Sequence, residues 1–145
     1  MKSSIREEII SHNAKKLFDI VIDIEKYPNF IPWCSNMKVY SKSDNEIYAD
    51  MKVLYSFIVP LTFSSHVIYD NKKLNIQTTY LEGPLKNLQT KWNFKPINNN
   101  QTRINFAVKF EFKNYFHQKI AETFYNLIEN KMIESFKRRA NNILN

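Results

Sequence analysis

A single glycine, Gly83, stands among 145 residues, which excludes Gly-rich phosphate loops and dinucleotide fingerprints, since both need several glycines. A single cysteine, Cys34, leaves no internal disulfide to form and fits a reducing compartment. No stretch reaches the ~20 apolar residues of a membrane-spanning helix. The first ten residues carry Lys2, Arg6, Glu7 and Glu8, so they read as neither signal peptide nor anchor. His12, His66 and His117 lie in separate elements and form no metal-ligand spacing. His66 falls on the outward phase of its strand and His117 in the first turn of the last helix, which makes both surface or satisfied structural histidines. Cys34 has no base beside it in the sequence and reads as a buried, inert thiol. Paired carboxylates occur in no recognisable catalytic motif. The expectation is a cytoplasmic protein that is not an enzyme, requires no cofactor and binds no metal.

Aromatic residues are abundant: eleven Phe, eight Tyr and two Trp. The net charge of +7 suits an anionic partner such as RNA or a membrane surface. It suits a solvated lysine-rich surface equally well. DNA is not an expected partner.

Along the chain, Ser4 to Ser11 reads as a first strand. Asn13 caps a short helix from Ala14 to Ile24, with Leu17, Phe18, Val21 and Ile22 inward. Pro28 limits that helix, and Asn29 to Trp33 reads as a second short helical turn. Six strands follow with period-two alternation. Their inward sets are Met37 and Val39; Ile47 to Tyr55; Leu61 to Tyr69; Leu74 to Tyr80; Leu88 to Phe94; and Ile104 to Phe112. Turns fall at Ser43 to Asn45, Asp70-Asn71, Gly83-Pro84 and Asn98 to Asn100.

From Tyr115 to Ile143 nothing interrupts a helix, which at ~1.5 Å per residue would be roughly 43 Å long. Asn114 is its cap, and Lys137, Arg138 and Arg139 suit its C-terminal end. Phe116, Ile120, Phe124, Leu127 and Ile128 form one apolar stripe. Tyr125, Met132, Phe136, Ala140 and Ile143 form a second, rotated from the first. A helix so apolar must be covered on more than one side. The pattern predicts an α+β helix-grip fold spanning residues 1–145 as one domain. A curved seven-stranded antiparallel sheet wraps a long C-terminal helix, with two short helices after the first strand.

The run Asp23-Ile-Glu-Lys-Tyr-Pro-Asn-Phe-Ile-Pro-Trp-Cys34 resembles the coenzyme Q-binding branch of the START-like superfamily. So do Gly83-Pro84-Leu85 with Leu88, Trp92-Asn-Phe94, Phe110-Glu-Phe112, and Met132, Phe136, Arg139 and Ala140. That branch also contains the bacterial ribosome association toxin and proteins labelled oligoketide cyclases. The chain departs from it after Val53, where Leu54-Tyr-Ser-Phe-Ile-Val-Pro60 replaces the usual Gly and basic segment.

The resemblance implies a greasy ligand held between sheet and helix, most simply ubiquinone or another isoprenoid lipid, in a carrier or chaperone serving respiration. Trp33, Phe63, Tyr80, Trp92, Phe106, Phe110, Phe124, Ile128, Met132 and Phe136 are the expected ligand-binding residues. Tyr27 to Cys34 reads equally as a lid that sets Trp33 against the ligand or as a rigid helix-to-strand connector stapled by its aromatics. A polar residue or two near the mouth would orient the head group. By its own residues, the apolar tip from Leu54 to Pro60 either projects, so that Leu54, Phe57, Ile58 and Val59 touch an anionic inner membrane peripherally, or folds over the cavity as core. The alternatives that the same resemblance implies are a toxin binding the large ribosomal subunit through its basic surface, and an oligoketide cyclase or aromatase.

Overall fold

Period-two alternation over most of the chain produces seven strands. In the computed structural model these are β1 (Lys2–Ile10), β2 (Cys34–Lys42), β3 (Glu46–Tyr55), β4 (Ile58–Asp70), β5 (Asn75–Glu82), β6 (Leu85–Asn98) and β7 (Gln101–Phe112). Helix α1 (Ala14–Ile22) and a 3-10 helix (Ile24–Asn29) follow β1, and helix α2 (Tyr115–Leu144) ends the chain. The structure describes residues 1–55 and 58–144; of residues 55 and 58–60 it describes the backbone alone.

The strands form one antiparallel sheet in the order β1-β7-β6-β5-β4-β3-β2. β1 therefore crosses from the start of the chain to pair with β7, Lys2 opposite Phe110 and Ile10 opposite Thr102. Register shifts interrupt the β2–β3, β3–β4, β4–β5 and β6–β7 ladders. Such bulges bend strands and raise the twist, and the sheet curls so that its concave face grips α2. This is the α+β helix-grip architecture that the alternation predicts.

Local chemistry fixes the corners. The Asn13 side chain accepts from the backbone N–H groups of Lys15 at 3.0 Å and Lys16 at 3.2 Å, capping α1. Asp70 Oδ1 accepts from Lys72 N at 2.8 Å and Lys73 N at 2.9 Å in the β4–β5 turn. Gly83 adopts φ +143°, and a Cβ there would lie 2.6 Å from the carbonyl oxygen of Thr62. The position admits only glycine, for conformation and for space. Asn114 caps α2 by accepting from His117 N at 3.1 Å.

Three local expectations are corrected. The second short helix spans Ile24–Asn29 rather than 29–33, with Pro28 inside it, because a buried Ile24 and the Tyr27 hydroxyl, donating to Val21 O, pin this segment back onto α1. Lys137, Arg138 and Arg139 do not close α2, which runs on to Leu144. Lys137 instead pairs with Glu8, and Arg139 lies over the Phe30 ring. The third concerns the apolar stripes of α2. Tyr125, Phe136 and Ala140 of the second stripe are buried but Ile143 is exposed; Phe116, Phe124 and Leu127 of the first are exposed while Ile128 lines a cavity between sheet and helix. A concave sheet covers one side of a helix, and at ~100° per residue Phe116 and Leu127 fall opposite Tyr125.

Candidate functional site: an apolar cavity between sheet and helix

The inward positions of β3 to β7 do not meet α2 everywhere, and the space left is a cavity of about 360 Å³. That lies within the ~300–1,000 Å³ range of small-molecule sites. Its floor is the sheet: Ala49, Met51 and Val53 on β3; Phe63, Ser65 and Val67 on β4; Ile76 and Thr78 on β5; Leu85, Leu88, Thr90 and Trp92 on β6; and Phe106, Phe110 and Phe112 on β7. Its roof is Ala121, Tyr125, Ile128, Met132 and Phe136 on α2. Val21, Ile24, Tyr27, Ile31, Trp33 and Met37 complete the wall.

One end is sealed by aromatics. Phe136 packs edge-on against Tyr27 at 5.5 Å, Phe30 at 5.3 Å and Trp92 at 5.5 Å between ring centroids. Towards the β3–β4 hairpin and the first half of α2 the wall residues Trp33, Val53, Phe63, Phe112 and Ile128 are only half-buried. Met37, Met51, Ser65, Thr78, Leu88, Thr90 and Met132 on the wall are half-buried as well.

Of the residues expected to bind ligand, Trp33, Phe63, Trp92, Phe106, Phe110, Ile128, Met132 and Phe136 all lie on the cavity wall. Tyr80 does not. Its hydroxyl accepts the backbone N–H of Leu85 at 3.0 Å and packs against Gly83, so it shapes the β5–β6 turn. Phe124 is 41% exposed and does not lie on the wall; it stands ~100° around the helix from the buried Tyr125. Leu54 is exposed. Phe57 and the side chains of Ile58 and Val59 lie outside the described residues.

A second feature escaped the sequence. The inward phase of β1 is Lys2, Ser4, Arg6, Glu8 and Ile10, while Ile5 and Ile9 face solvent. These polar side chains meet α2 at Glu129, which is buried. The Tyr125 hydroxyl donates to Glu129, as does Ser4 Oγ at 3.4 Å. Arg6 bridges Glu129 at 3.4 Å and Glu8 at 2.6 Å, and also donates to Asn130. Lys137 reaches Glu8 at 3.1 Å.

Burial works to raise the pKa of Glu8, but hydrogen bonds from Arg6 and Lys137 outweigh it and hold the carboxyl below its ordinary range. Burial, reinforced by the bond to Glu129, pushes Tyr125 upward, so its hydroxyl keeps its proton. The network was legible only as Tyr125 and Glu129 four residues apart on the helix face that contains Phe136. Its β1 half reads in sequence as a polar outer face.

The thiol of Cys34 is buried and pushed up to about 11 by that burial, which leaves it protonated and unreactive at neutral pH. Nε2 of His66 lies 2.8 Å from Glu46 Oε1, and its ring stacks on Tyr48. Nδ1 of His117, by contrast, is buried with no partner among the described residues, so this histidine is not fully satisfied. Among the described residues no group of His, Cys, Asp and Glu is placed to hold a metal ion, and no helix is long and apolar enough to cross a membrane.

Residues 10–137 match the protein family described as polyketide cyclase / dehydrase and lipid transport. The chain belongs to this family. Among curated proteins, it is 29% identical to the ribosome association toxin RatA of Rickettsia prowazekii, over 99% of both chains. It is 26% identical to the coenzyme Q-binding protein COQ10 homolog B of Xenopus laevis, a mitochondrial protein, over 94% of this chain and 57% of that one. Among solved structures, the Zhui aromatase/cyclase of a Streptomyces strain superposes with a TM-score of 0.89 at 11% identity, over 99% of this chain and 96% of that one.

These likenesses overturn the expectation that the chain is not an enzyme. A family described by cyclases and dehydrases, whose fold is shared over nearly full length with an aromatase/cyclase, gives no ground for excluding catalysis. The buried Tyr125–Glu129–Arg6 cluster beside the cavity also supplies ionisable groups that the sequence pattern had hidden.

Proposed function

We propose that this polyketide cyclase / lipid transport family member binds a hydrophobic ligand in the cavity and carries or chaperones it, the ligand being ubiquinone or another isoprenoid lipid used in respiratory electron transport. The observation that supports this reading is the cavity itself. An apolar space of about 360 Å³, walled by aromatic and aliphatic side chains, is costly to leave without contacts. Filling it with hydrocarbon gains ~25 cal/mol per Å² of apolar surface removed from water. A long isoprenoid tail exceeds that volume, so it leaves through the side near the β3–β4 hairpin. Leu54 is exposed there, and Phe57, Ile58 and Val59 follow it in sequence. Apolar insertion at that rim, with lysines facing anionic lipid, gives reversible attachment to an inner membrane. The name of the Xenopus relative supports the choice of ligand.

The test is purification from a quinone-producing host, organic extraction and mass spectrometry. An isoprenoid quinone present in near-equimolar amount is expected. An extract free of lipid, from protein that also fails to take up an added quinone, would refute the reading.

Full-length likeness to the Rickettsia toxin and the charge of +7 favour a second reading, association with the large ribosomal subunit. It predicts co-sedimentation with that subunit at low salt, declining as added salt lowers the entropic gain of counterion release. Protein that stays at the top of the gradient at low salt would remove it.

A further inference from the structure

The cavity wall is not uniformly apolar. Among its described residues, Ser65, Thr78 and Thr90 present hydroxyls, one from each of β4, β5 and β6, the three central strands of the sheet. Thr78 and Thr90 are directly paired. Ser65 pairs with Tyr80 and so stands diagonal to Thr78 on the same face. Directly paired positions place their Cβ atoms about 5 Å apart. None of the three side chains has a hydrogen-bond partner among the described residues. All three residues are half-buried and line the cavity, so their hydroxyls are free to bond whatever occupies it. Threonine favours strands for its branched shape alone, but valine has the same shape without the unpaired hydroxyl.

The other polar groups nearby are already engaged. The Tyr27 hydroxyl donates to Val21 O, and that of Tyr125 donates to Glu129. The described wall includes no Lys, Arg, His, Asp or Glu. A carboxylate or phosphate inside would therefore be an uncompensated charge in an apolar site, which is very costly. That excludes a free fatty acid or a phospholipid head group as the buried end of the ligand.

We infer that Ser65, Thr78 and Thr90 form the head-group subsite of the cavity, and that it takes a neutral ring bearing oxygen at more than one position, of the quinone or polyphenol class. Each hydroxyl both donates and accepts, so carbonyl, methoxy and hydroxyl oxygens are all met. Trp92, two residues beyond Thr90 on the same face, offers an aromatic surface to the ring. The head group lies on the middle of the sheet, and the tail points outward. This inference rests on the cavity reading above.

The test uses a butyl-substituted 1,4-benzoquinone and butylbenzene, titrated calorimetrically into the full chain. The wild type should bind the quinone at least tenfold more tightly than the hydrocarbon. Thr78→Val with Thr90→Val should weaken the quinone about tenfold and leave butylbenzene unchanged or tighter, because only hydrogen-bonding groups are lost. Thr90→Ser, which keeps the hydroxyl, should retain the preference. Should the double variant not fold, Ser65→Ala is expected to lower quinone affinity severalfold at unchanged hydrocarbon affinity. Binding of both probes with no preference for the quinone, or a quinone affinity that hydroxyl removal leaves unchanged, would overturn this inference while the cavity reading stands. Binding of neither probe by the wild type would overturn both.

Discussion

Replacing Phe136 with alanine would test how sheet, helix and the α1 region are held together. The ring is 7% exposed and meets three other aromatic rings edge-on, one from β6 and two from the segment after α1. Truncating a buried Phe costs about 3–5 kcal/mol through lost transfer energy and residual cavity. Each aromatic pair adds ~0.5–1.5 kcal/mol beyond area burial. Phe136 also borders the existing cavity, however, so one side of the ring already lacks dispersion partners. The lower end follows, about 3 kcal/mol, equivalent to a fall in melting midpoint of roughly 6–12 °C for a chain of this size.

Urea unfolding with an unchanged denaturant slope is the assay, and Phe136→Leu should lose about half as much. Because the seal at this end is broken, the alanine variant should also bind an apolar probe with altered affinity. A loss below about 1 kcal/mol, with unaltered binding, would refute the claim that this residue closes the cavity.

Further outcomes follow from other sites. Glu129→Ala should destabilise by roughly 1–3 kcal/mol, measured in urea, because the Tyr125 hydroxyl and one arm of Arg6 lose a buried partner; Glu129→Gln should recover part of that loss. The carboxyl of Glu8 is held below its unfolded value, so its contribution to stability is present above the ordinary Glu value of about 4.3 and is lost as pH falls through the lower folded value. Melting curves from pH 6 down to about pH 3 should accordingly be flatter for Glu8→Gln than for the wild type. Gly83→Ala should cost roughly 1–3 kcal/mol, because the new Cβ would meet the Thr62 carbonyl oxygen at 2.6 Å in a backbone conformation that L residues avoid; a thermal midpoint equal to that of wild type would show that the turn can relax.

The sequence by itself determined the sheet, because period two is a local property and a one-residue slip would bury the wrong face of every strand. Leu88 to Phe94 and Ile104 to Phe112 could alternate as they do only with one side dry. The end of β7, the cap at Asn114 and the uninterrupted helix were equally local. Most of the cavity wall followed, since a strand's inward residues line whatever the sheet encloses.

Tertiary structure decided what local pattern leaves open. A helix with two apolar stripes does not say which residues of each the sheet covers, and the fold buried Tyr125 and set Ile128 on the cavity wall while leaving Phe124 and Ile143 exposed. β1 carries polar residues on its inner phase because Glu129 stands opposite, a pairing 123 residues apart for Arg6. Nor could one strand's sequence reveal that Ser65, Thr78 and Thr90 converge. Each alone is an ordinary strand residue, and only the register of three neighbouring strands places their hydroxyls on one patch of the cavity floor.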